Sequence, residues 1–418
     1  MSIRQLLSAA GLACLFAAWP AGAQPTTATP ISLTQALQAA RNNSDVLLAR
    51  RSLAAAQADI QSADHAPAPV LSLKAASIDL QNGIGPGNVL SRKRIDKAIG
   101  VDWTWERGDK RALRTRAAQR FAAAAEADVD ETLVLQQLAA SDAYFELLSA
   151  QERIAQVEEL AQSAAQLAGA AARRVKAGDM SAQDAARTDI EAQRARSDLL
   201  GARLDRQRAA LALAQLTGFN GPGMLQADPA WPPLGGADTG PYPLVEDRAD
   251  VRAAAQRVEA AQAALDVASA QKKADITLGT SFDHYPGTSN RLLEFRAQIP
   301  LQGVFGSYNF QGEIARALAE LDAAQDALDK TRRAATADLQ RLQQEREGAA
   351  ARALGYETTI VPGARKAAEM AELAFNKGAM SLTELIDARR TLRAILIEDL
   401  AARTDHAKAL QAWQLRRP

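Results

Sequence analysis

The chain has 418 residues, and its 49 basic and 49 acidic side chains give a formal net charge of zero. Nucleic-acid binding needs a basic excess, so this balance predicts no nucleic-acid partner. Alanine accounts for 94 residues and aromatic residues for only 5%, a composition typical of long helices packed through small side chains. One cysteine and three histidines argue against a disulfide framework or a buried metal cluster.

Residues 1–23 have the pattern of a secretory signal peptide. Arg4 supplies the positive end, residues 6–18 the apolar segment, and Ala21-Gly22-Ala23 a small-residue cleavage site. The apolar segment is too short to span a bilayer. Cys14 leaves lipidation open as an alternative, although it lies inside the apolar segment, with Leu15 and Phe16 still to follow. We therefore expect an exported protein.

The rest of the chain is an internal duplication. A shift of 200 positions superposes the same short motif in both halves, namely Gly178, Met180 and Ser181 on Gly378, Met380 and Ser381. We predict a first structural repeat at residues 24–217, a linker rich in Pro and Gly at 218–243, and a second repeat at 244–418. Each repeat is expected to contain a helix, two strands, a long helix and a further helix.

The predicted helices are unusually long. In the first repeat, a helix at 33–65 precedes the strands and a continuous helical stretch at 109–175 follows them. In the second repeat, the corresponding segments are 244–273 and 311–377. A stretch of about 67 residues spans roughly 100 Å as a helix, far more than a compact domain needs. Gly348 and Pro362 are expected to bend the second long stretch.

The four predicted strands alternate between apolar and polar residues. They cover residues 70–80, 95–105, a segment that starts at 276, and 293–301. Strands of about ten residues suit a tilted crossing of a membrane, where Trp103 and Trp105 could sit at the interface. An amphipathic sheet in a soluble domain would alternate in the same way. In lipid, however, four strands cannot close a barrel, so the chain would have to pool them with copies of itself.

These features together resemble the TolC family of outer-membrane efflux factors. The likeness covers the mature chain and rests on the duplicated helix–strand–strand–helix plan and on residues 173–181 and 375–381 at the helix breaks. Residues 105–114 look like the strand-to-helix junction of the heavy-metal-efflux branch. The resemblance implies a mainly helical fold in which three chains form an α-barrel in the periplasm and a 12-stranded β-barrel in the outer membrane.

The resemblance also implies a function and partners. Members of the family are passive exit ducts for small molecules, ions or proteins, and they work with a periplasmic adaptor and an inner-membrane pump. We therefore expect a homotrimer in contact with outer-membrane lipid, with no catalytic residues and no cofactor. The transported substrate, the identity of the pump and adaptor, and the resting state of the channel are not encoded in any motif of the sequence.

Both helix breaks are predicted to be tight hairpin tips. Gly178 and Gly378 suit the left-handed position that ends a helix. Ser181 and Ser381 suit the N-cap of the next helix, with Asp184 and Glu384 three residues later completing a capping box. Turn chemistry alone explains these residues. The resemblance adds that the tips, including Met180 and Met380, dock the adaptor.

The resemblance further implies a gate at Glu384 and Asp387. In the family, two carboxylates at these places form acidic rings that constrict the tunnel. The alternative is that Glu384 only caps its helix and Asp387 pairs with Arg390. The first repeat has Asp184 and Arg187 at these places, so the acidic pair would belong to the second tip alone.

Two other classes of protein compete with the channel. A soluble periplasmic coiled-coil adaptor or scaffold would also combine a signal peptide with long Ala-rich helices. An exported enzyme would need convergent polar groups, and the sequence contains neither a phosphate-binding loop nor a nucleophile motif. His65, His284 and His406 lie far apart and lack metal-ligand spacing, so no metal site is predicted.

Overall fold

A computed structural model describes residues 28–83, 95–221, 223–235, 244–285, 289–302, 304 and 308–417. The predicted signal peptide at 1–23 lies outside the described residues, as does part of the predicted linker. Fourteen α-helices and β-strands are described, and their order is repeated between the two halves, which confirms the internal duplication.

The first half contains β1 (Thr29–Ile31), α1 (Leu33–Ala40), α2 (Ser44–Ala63), β2 (Val70–Ala76), β3 (Asp96–Trp105), α3 (Lys110–Ala177) and α4 (Ala182–Thr217). The second half contains β4 (Leu225–Ala227), α5 (Ala249–Ala270), β5 (Ile276–Tyr285), β6 (Ser289–Gln298), α6 (Gln311–Gly355), α7 (Val361–Asn376) and α8 (Leu382–Arg416). The long helix α3 has 68 residues. Strands β1 and β4 pair in parallel and fasten the start of the chain to the segment between the repeats.

The single helix predicted at 33–65 is in fact two helices. Asn43 separates them as the N-cap of α2, because its side-chain oxygen accepts a hydrogen bond from the Asp45 N–H at 3.0 Å. Its amide nitrogen donates to the Leu216 carbonyl at 3.0 Å, which fixes the break against the end of α4. A local cap combined with a contact 173 residues away therefore interrupts the helix.

The second long stretch changes its hydrogen-bonding pattern near Pro362. Residues Tyr356–Ile360 form a turn of π-helix between α6 and α7, and the proline lies in the first turn of α7. Proline lacks an N–H and its ring excludes the usual carbonyl partner, so a wider turn accommodates it. Helix α6 continues through Gly348 without a break in its hydrogen bonding, and the bend expected at that glycine stays a prediction.

The helices form a layer with a defined order. Helix α3 contacts α2 and α4 on one side and α5 and α8 on the other, and α5 and α8 in turn contact α6 and α7. Helices α2 and α4 therefore form one edge of the layer, and α6 and α7 form the opposite edge. Fully buried alanines such as Ala140, Ala353 and Ala402 allow this close packing. No helix within the described residues is both long enough and apolar enough to cross a bilayer.

A hydrophobic core lies around β1 and β4, in the middle of the helical layer. Tyr144, Phe145, Leu148 and Leu213 are almost completely buried there, and Trp231 stacks on Phe145 with ring centroids 6.2 Å apart. Elsewhere the buried residues are mostly alanines. A second, smaller hydrophobic cluster contains Leu339, Leu342 and Trp413. Within the described residues, the layer is therefore held by these two clusters and by contacts between small residues.

The four long strands form one antiparallel sheet in the order β2-β3-β5-β6. The predicted strand at 70–80 ends early, because Ser77 adopts a left-handed conformation with φ 59°. Strand β6 also ends at Gln298, so Ile299 and Leu301, which were predicted to continue the alternation, follow the strand. Strands β2 and β6 are the two outer strands of the sheet in the single chain.

Candidate functional site

Both hairpin tips end their first helix in the same way. Gly178 and Gly378 have φ values of 81° and 75°, a region that favours glycine. At the first tip, Gly178 N–H donates to the Val175 carbonyl and Asp179 N–H to the Arg174 carbonyl. The second tip repeats both bonds, from Gly378 to Phe375 and from Ala379 to Ala374. This pair of bonds is the Schellman motif, so the two glycines stop α3 and α7 for one physical reason.

The helices that follow the tips are capped differently, which corrects the prediction of two capping boxes. At the second tip, Ser381 Oγ accepts from Glu384 N–H at 3.3 Å, and Glu384 Oε2 accepts from Ser381 N–H at 2.8 Å. At the first tip, Ser181 Oγ accepts from Asp184 N–H, but Asp184 makes no return bond to the Ser181 N–H. The aspartate side chain is one methylene shorter and bonds the Ser181 hydroxyl instead, at 2.8 Å.

The two tips lie side by side in the chain. The Arg174 guanidinium sits 5.5 Å above the centre of the Phe375 ring. Arg187, just after the first tip, donates to Thr383 Oγ1 of the second tip at 3.2 Å. Met180 and Phe375 both line a small cavity between the tips, whereas the residues of the turns themselves are mostly exposed. The candidate docking residues of both repeats are thus brought together at one end of the layer.

The candidate gate carboxylates have different environments. Glu384 is engaged by the backbone and hydroxyl of Ser381, and these hydrogen bonds hold the pKa of its carboxyl below the usual value. Asp387, one helical turn further on, is 64% exposed and lies 3.7 Å from the Arg390 guanidinium. Within one chain, each carboxylate therefore makes the local contact that capping and pairing predict. A ring of such carboxylates needs further copies of the chain.

The structure adds charged residues that the sequence analysis did not single out. Arg390 on α8 bonds Glu191 on α4, and the next turn repeats the arrangement with Arg393 and Asp198. On the other side of α8, Arg389 pairs with Glu372 of α7 at 2.8 Å. These ion pairs bridge a cavity of about 180 Å³ between the two hairpins. No motif marks the pairs of Arg390 and Arg393, since their partners on α4 are nearly 200 residues away in sequence.

The sheet has one continuous apolar face. Cross-strand pairing aligns Leu71 with Val101, Trp103 with Leu278, and Phe282 with Leu293. The exposed apolar residues of this face come from all four strands: Leu71, Leu73, Ile99, Val101, Trp103, Trp105, Leu278, Phe282, Leu293 and Phe295. Such a large exposed apolar surface indicates contact with another apolar phase. Trp105 is the last residue of β3, at the end of the strand next to the helices, and Trp103 lies two residues further into the sheet.

The opposite face of the sheet is polar and contains a charge pair that spans three strands. Asp102, Gly279 and Arg296 are aligned across β3, β5 and β6. Arg296 reaches over the glycine and donates to Asp102 Oδ1 at 2.6 Å. A Cβ atom at position 279 would lie only 2.2 Å from that oxygen, so the pair requires glycine there. One face of the sheet is therefore suited to lipid and the other to water.

Metal-ligand geometry is not found in the part of the chain that the structure describes. Within these residues, no three His, Cys, Asp or Glu side chains lie close enough together to hold a metal ion. His65 bonds the Gln61 carbonyl at the end of α2, and the buried ring of His406 faces the Pro233 carbonyl.

The family model described as "Outer membrane efflux protein" matches residues 36–219 and 241–415 of the chain. Among curated proteins, the chain is 28% identical over 292 residues to the cobalt-zinc-cadmium resistance protein CzcC of Cupriavidus metallidurans. That match covers 69% of this chain and 68% of CzcC.

Two solved structures share the fold of the chain. The outer membrane protein VceC of Vibrio cholerae matches with a TM-score of 0.72 at 19% identity, over 91% of this chain and 94% of VceC. A membrane protein of Pseudomonas aeruginosa matches with a TM-score of 0.73 at 19% identity, over 92% of this chain and 93% of that protein. At this level of identity, the likeness supports the architecture and no individual residue.

Proposed function

Because the chain belongs to the outer membrane efflux protein family, we propose that three copies of it assemble into one channel and that this channel exports divalent metal cations. Family membership makes the protein an outer-membrane exit duct of a tripartite efflux pump, with its helices in the periplasm, and confirms the resemblance to the TolC family. It also decides against the soluble adaptor that the long helices alone had left open. Conduction through such a duct is passive.

The open sheet carries the proposal of assembly. It has an exposed apolar face, but among the described residues neither outer strand has a partner on its second side. In a bilayer, unpaired backbone groups at a sheet edge are too costly to persist. Pairing β6 of one chain with β2 of the next removes every edge once the ring closes, and three chains supply twelve strands. The observation that requires partners is therefore the apolar but unclosed sheet.

The helical layer supports the same head-to-tail arrangement. Its two edges follow the order of the sheet, because the edge that contains α2 and α4 belongs to the half with β2, and the edge that contains α6 and α7 to the half with β6. Large apolar side chains are exposed on both edges, for example Leu48 and Leu211 on the first, and Met370 and Leu373 on the second. A neighbouring copy would cover both sets at once.

We further propose that the adaptor docks on the paired hairpin tips. The tips present two similar rigid turns at the end of the layer furthest from the sheet, with Gly178 and Gly378 holding their conformations. Their exposed residues, including Ser181 and Ser381, offer backbone and hydroxyl groups to a partner. The duplicated geometry would give an adaptor two equivalent docking surfaces per chain.

The chemistry of the polar sheet face supports a cationic cargo. Its charged residues within the described strands are Lys74, Asp96, Asp102, Asp283, Glu294 and Arg296, four acidic against two basic. If this face lines the channel, three copies give the lumen an acidic excess that attracts cations. Glu384 and Asp387, as the proposed gate, would add the same sign of charge at the tips. The relative CzcC is named for resistance to three divalent metals.

Fractionation and mass measurement test the proposal of assembly. The full chain should enter the outer-membrane fraction, require detergent for extraction, and show a light-scattering mass close to three times that of the processed chain, which is slightly below 44.5 kDa. A water-soluble monomer would overturn it. The cargo is tested separately by the reversal potential of the purified channel in planar bilayers under a ZnCl₂ gradient. Preference for the cation supports the proposal, and preference for chloride contradicts it.

A further inference from the structure

We propose that Arg107, Lys272 and Lys273 form a binding site for the headgroup of an anionic phospholipid, at the junction between the sheet and the helices. The inference rests on the proposed function, since it needs the apolar sheet face to lie in a bilayer. It goes further by assigning a lipid class to particular side chains. We call these three residues the junction cations.

The junction cations are adjacent in space although they come from two loops. The loop between β3 and α3 contains Arg107, whose backbone N–H donates to Asp275 Oδ1 at 3.0 Å. The turn between α5 and β5 contains Lys272 and Lys273. Gly108 has a φ of 80°, and a Cβ placed on it would lie 2.5 Å from Lys273 Cδ. The aliphatic part of the Lys273 side chain therefore packs against the backbone of Gly108, the residue after Arg107.

A buried ion pair holds the two loops together. Lys110 at the start of α3 is only 5% exposed, and its Nζ donates to Asp275 Oδ1 at 2.9 Å. Asp275 Oδ1 thus accepts hydrogen bonds from both Lys110 Nζ and the Arg107 N–H. Because a buried lysine requires its partner, Asp275 is committed to this pair and does not neutralise the junction cations. The loop geometry is consequently fixed before any ligand binds.

The other nearby cations are already paired. Arg114 bonds the Glu106 carboxylate, and Arg111 bonds Asp64 at 2.9 Å. Within the residues that the structure describes, no carboxylate pairs with a junction cation. Glu106, next to Arg107 in sequence, is occupied by Arg114, and the next acidic residue is Asp109, two positions after Arg107. Three cations less one carboxylate leave an excess of two positive charges at each junction.

The position of the junction cations selects a lipid as the occupant. Trp105 and Ile276 form the last cross-strand pair of β3 and β5 on the apolar face, and Trp105 is 52% exposed. Arg107 lies two residues beyond Trp105, and Lys273 three residues before Ile276. Aromatic residues followed by lysine and arginine mark the headgroup level of a bilayer. A phosphate whose acyl chains lie along Trp105 satisfies the charged and the apolar surfaces together.

Native mass spectrometry of the detergent-solubilised full-length protein tests the site with phosphatidylglycerol as the anionic probe and phosphatidylcholine as the neutral one. The wild type should retain phosphatidylglycerol in preference, and 1 M NaCl should abolish that preference. The triple variant Arg107→Gln, Lys272→Gln, Lys273→Gln should lose it, at roughly fivefold in affinity per cation removed. Inorganic phosphate at millimolar concentration should not displace the lipid; displacement would mean an anion site without lipid specificity and would overturn the proposal.

A matched control removes the same charge elsewhere. Lys330, Arg333 and Lys366 are exposed cations of α6 and α7, and their replacement by Gln should leave the lipid preference unchanged. Equal loss in the control, or full retention in the junction variant, would overturn the inference. The wild-type comparison in low and high salt decides the matter even if a variant fails to assemble. A trimeric channel without phosphatidylglycerol preference refutes this site alone, whereas a lipid-free soluble monomer refutes the proposed function as well.

Discussion

Arg390 of α8 bonds Glu191 of α4 and thereby joins the helices that follow the two hairpin tips. The same guanidinium lies 3.7 Å from Asp387, one of the two candidate gate carboxylates. The Arg390 side chain therefore connects a candidate gate residue of the second tip to the first hairpin, and separating the hairpins requires breaking this contact.

Loss of the bond between Arg390 and Glu191 should favour the open channel. Because the Arg390 side chain is about half exposed, solvent screening limits the contribution of this ion pair to about 0.5 kcal/mol per chain. Three copies would contribute about 1.5 kcal/mol, or roughly a tenfold change in open probability. We expect Arg390→Gln to increase the open probability of the purified channel in planar bilayers by about this factor. Glu191→Gln, which removes the other partner, should have the same effect, and an unchanged open probability in both variants would show that the ion pair is not the cause.

The same contact predicts a dependence on pH. The hydrogen bond from Arg390, reinforced by the charges of Arg194 and Arg393, holds the pKa of Glu191 below its usual value of 4.5. A depressed pKa contributes stability that is complete above pH 4.5 and is lost as the pH falls through the lower, folded-state value. Open probability should therefore rise as the pH is lowered below 4.5.

Glu191→Gln is the control for this pH dependence, because it keeps Arg390 but removes the titrating group. Its single-channel response to acid should be flatter than that of the wild type. An identical acid response in both proteins would place the titrating group elsewhere, for example at the tip carboxylates.

The two candidate gate carboxylates should contribute unequally to cation block. The Glu384 carboxylate is occupied by Ser381, whereas Asp387 is largely exposed. We expect Asp387→Asn to weaken block by divalent cations in planar bilayers more than Glu384→Gln does. Asp184→Asn, at the corresponding place of the first tip, serves as the matched control and should leave block unchanged. If neither Asp387→Asn nor the double variant Glu384→Gln, Asp387→Asn alters conductance or block, the gate hypothesis is wrong.

Gly279 should not tolerate a methyl group. Its Cβ would lie 2.2 Å from Asp102 Oδ1 and 3.2 Å from Arg296 Nη2, so Gly279→Ala must displace the cross-strand pair. Overpacking of this kind costs about 1–3 kcal/mol, which should lower the dissociation temperature of the proposed trimer on gel electrophoresis. Asp102→Ala in the same background should relieve the clash.

A glycine in open space provides the comparison for this substitution. Nothing lies within 4 Å of a Cβ placed on Gly348 in helix α6. Gly348→Ala should therefore be neutral or stabilise the protein by up to about 1 kcal/mol. Equal destabilisation by both substitutions would contradict the role assigned to the glycine under the ion pair.

Local patterns predicted most of the fold. Alternation placed Trp103 and Trp105 on one face of β3, and the spacing of Gly378 and Ser381 predicted the turn and the N-cap that the structure contains. These predictions succeed because the physics is local, with a strand period of two residues and caps that span three. Because the chain is duplicated, each element could be predicted twice, once from each half of the sequence.

Predictions that depend on distant residues or on side-chain length were less successful. The break at Asn43 depends on the Leu216 carbonyl, and Glu191 finds Arg390 only after both hairpins have packed. No short segment of the sequence contains both partners of such a pair. Asp184 was expected to act like Glu384, but a reciprocal cap needs the longer side chain. The pattern correctly predicted a serine N-cap at both tips, but the Asp184 side chain is one methylene group too short to complete the capping box.

That methylene group also has an evolutionary and dynamic consequence. The two hairpins descend from one ancestral unit and share their terminating glycine turn, yet only the second locks its following helix from both directions. Hydrogen exchange at the first turn of α4 should accordingly be faster than at the first turn of α8. Each chain therefore has one tip whose following helix is capped in both directions and one tip whose following helix is capped in one direction only. In a ring of three chains, the two kinds of tip would alternate around the end that carries the tips.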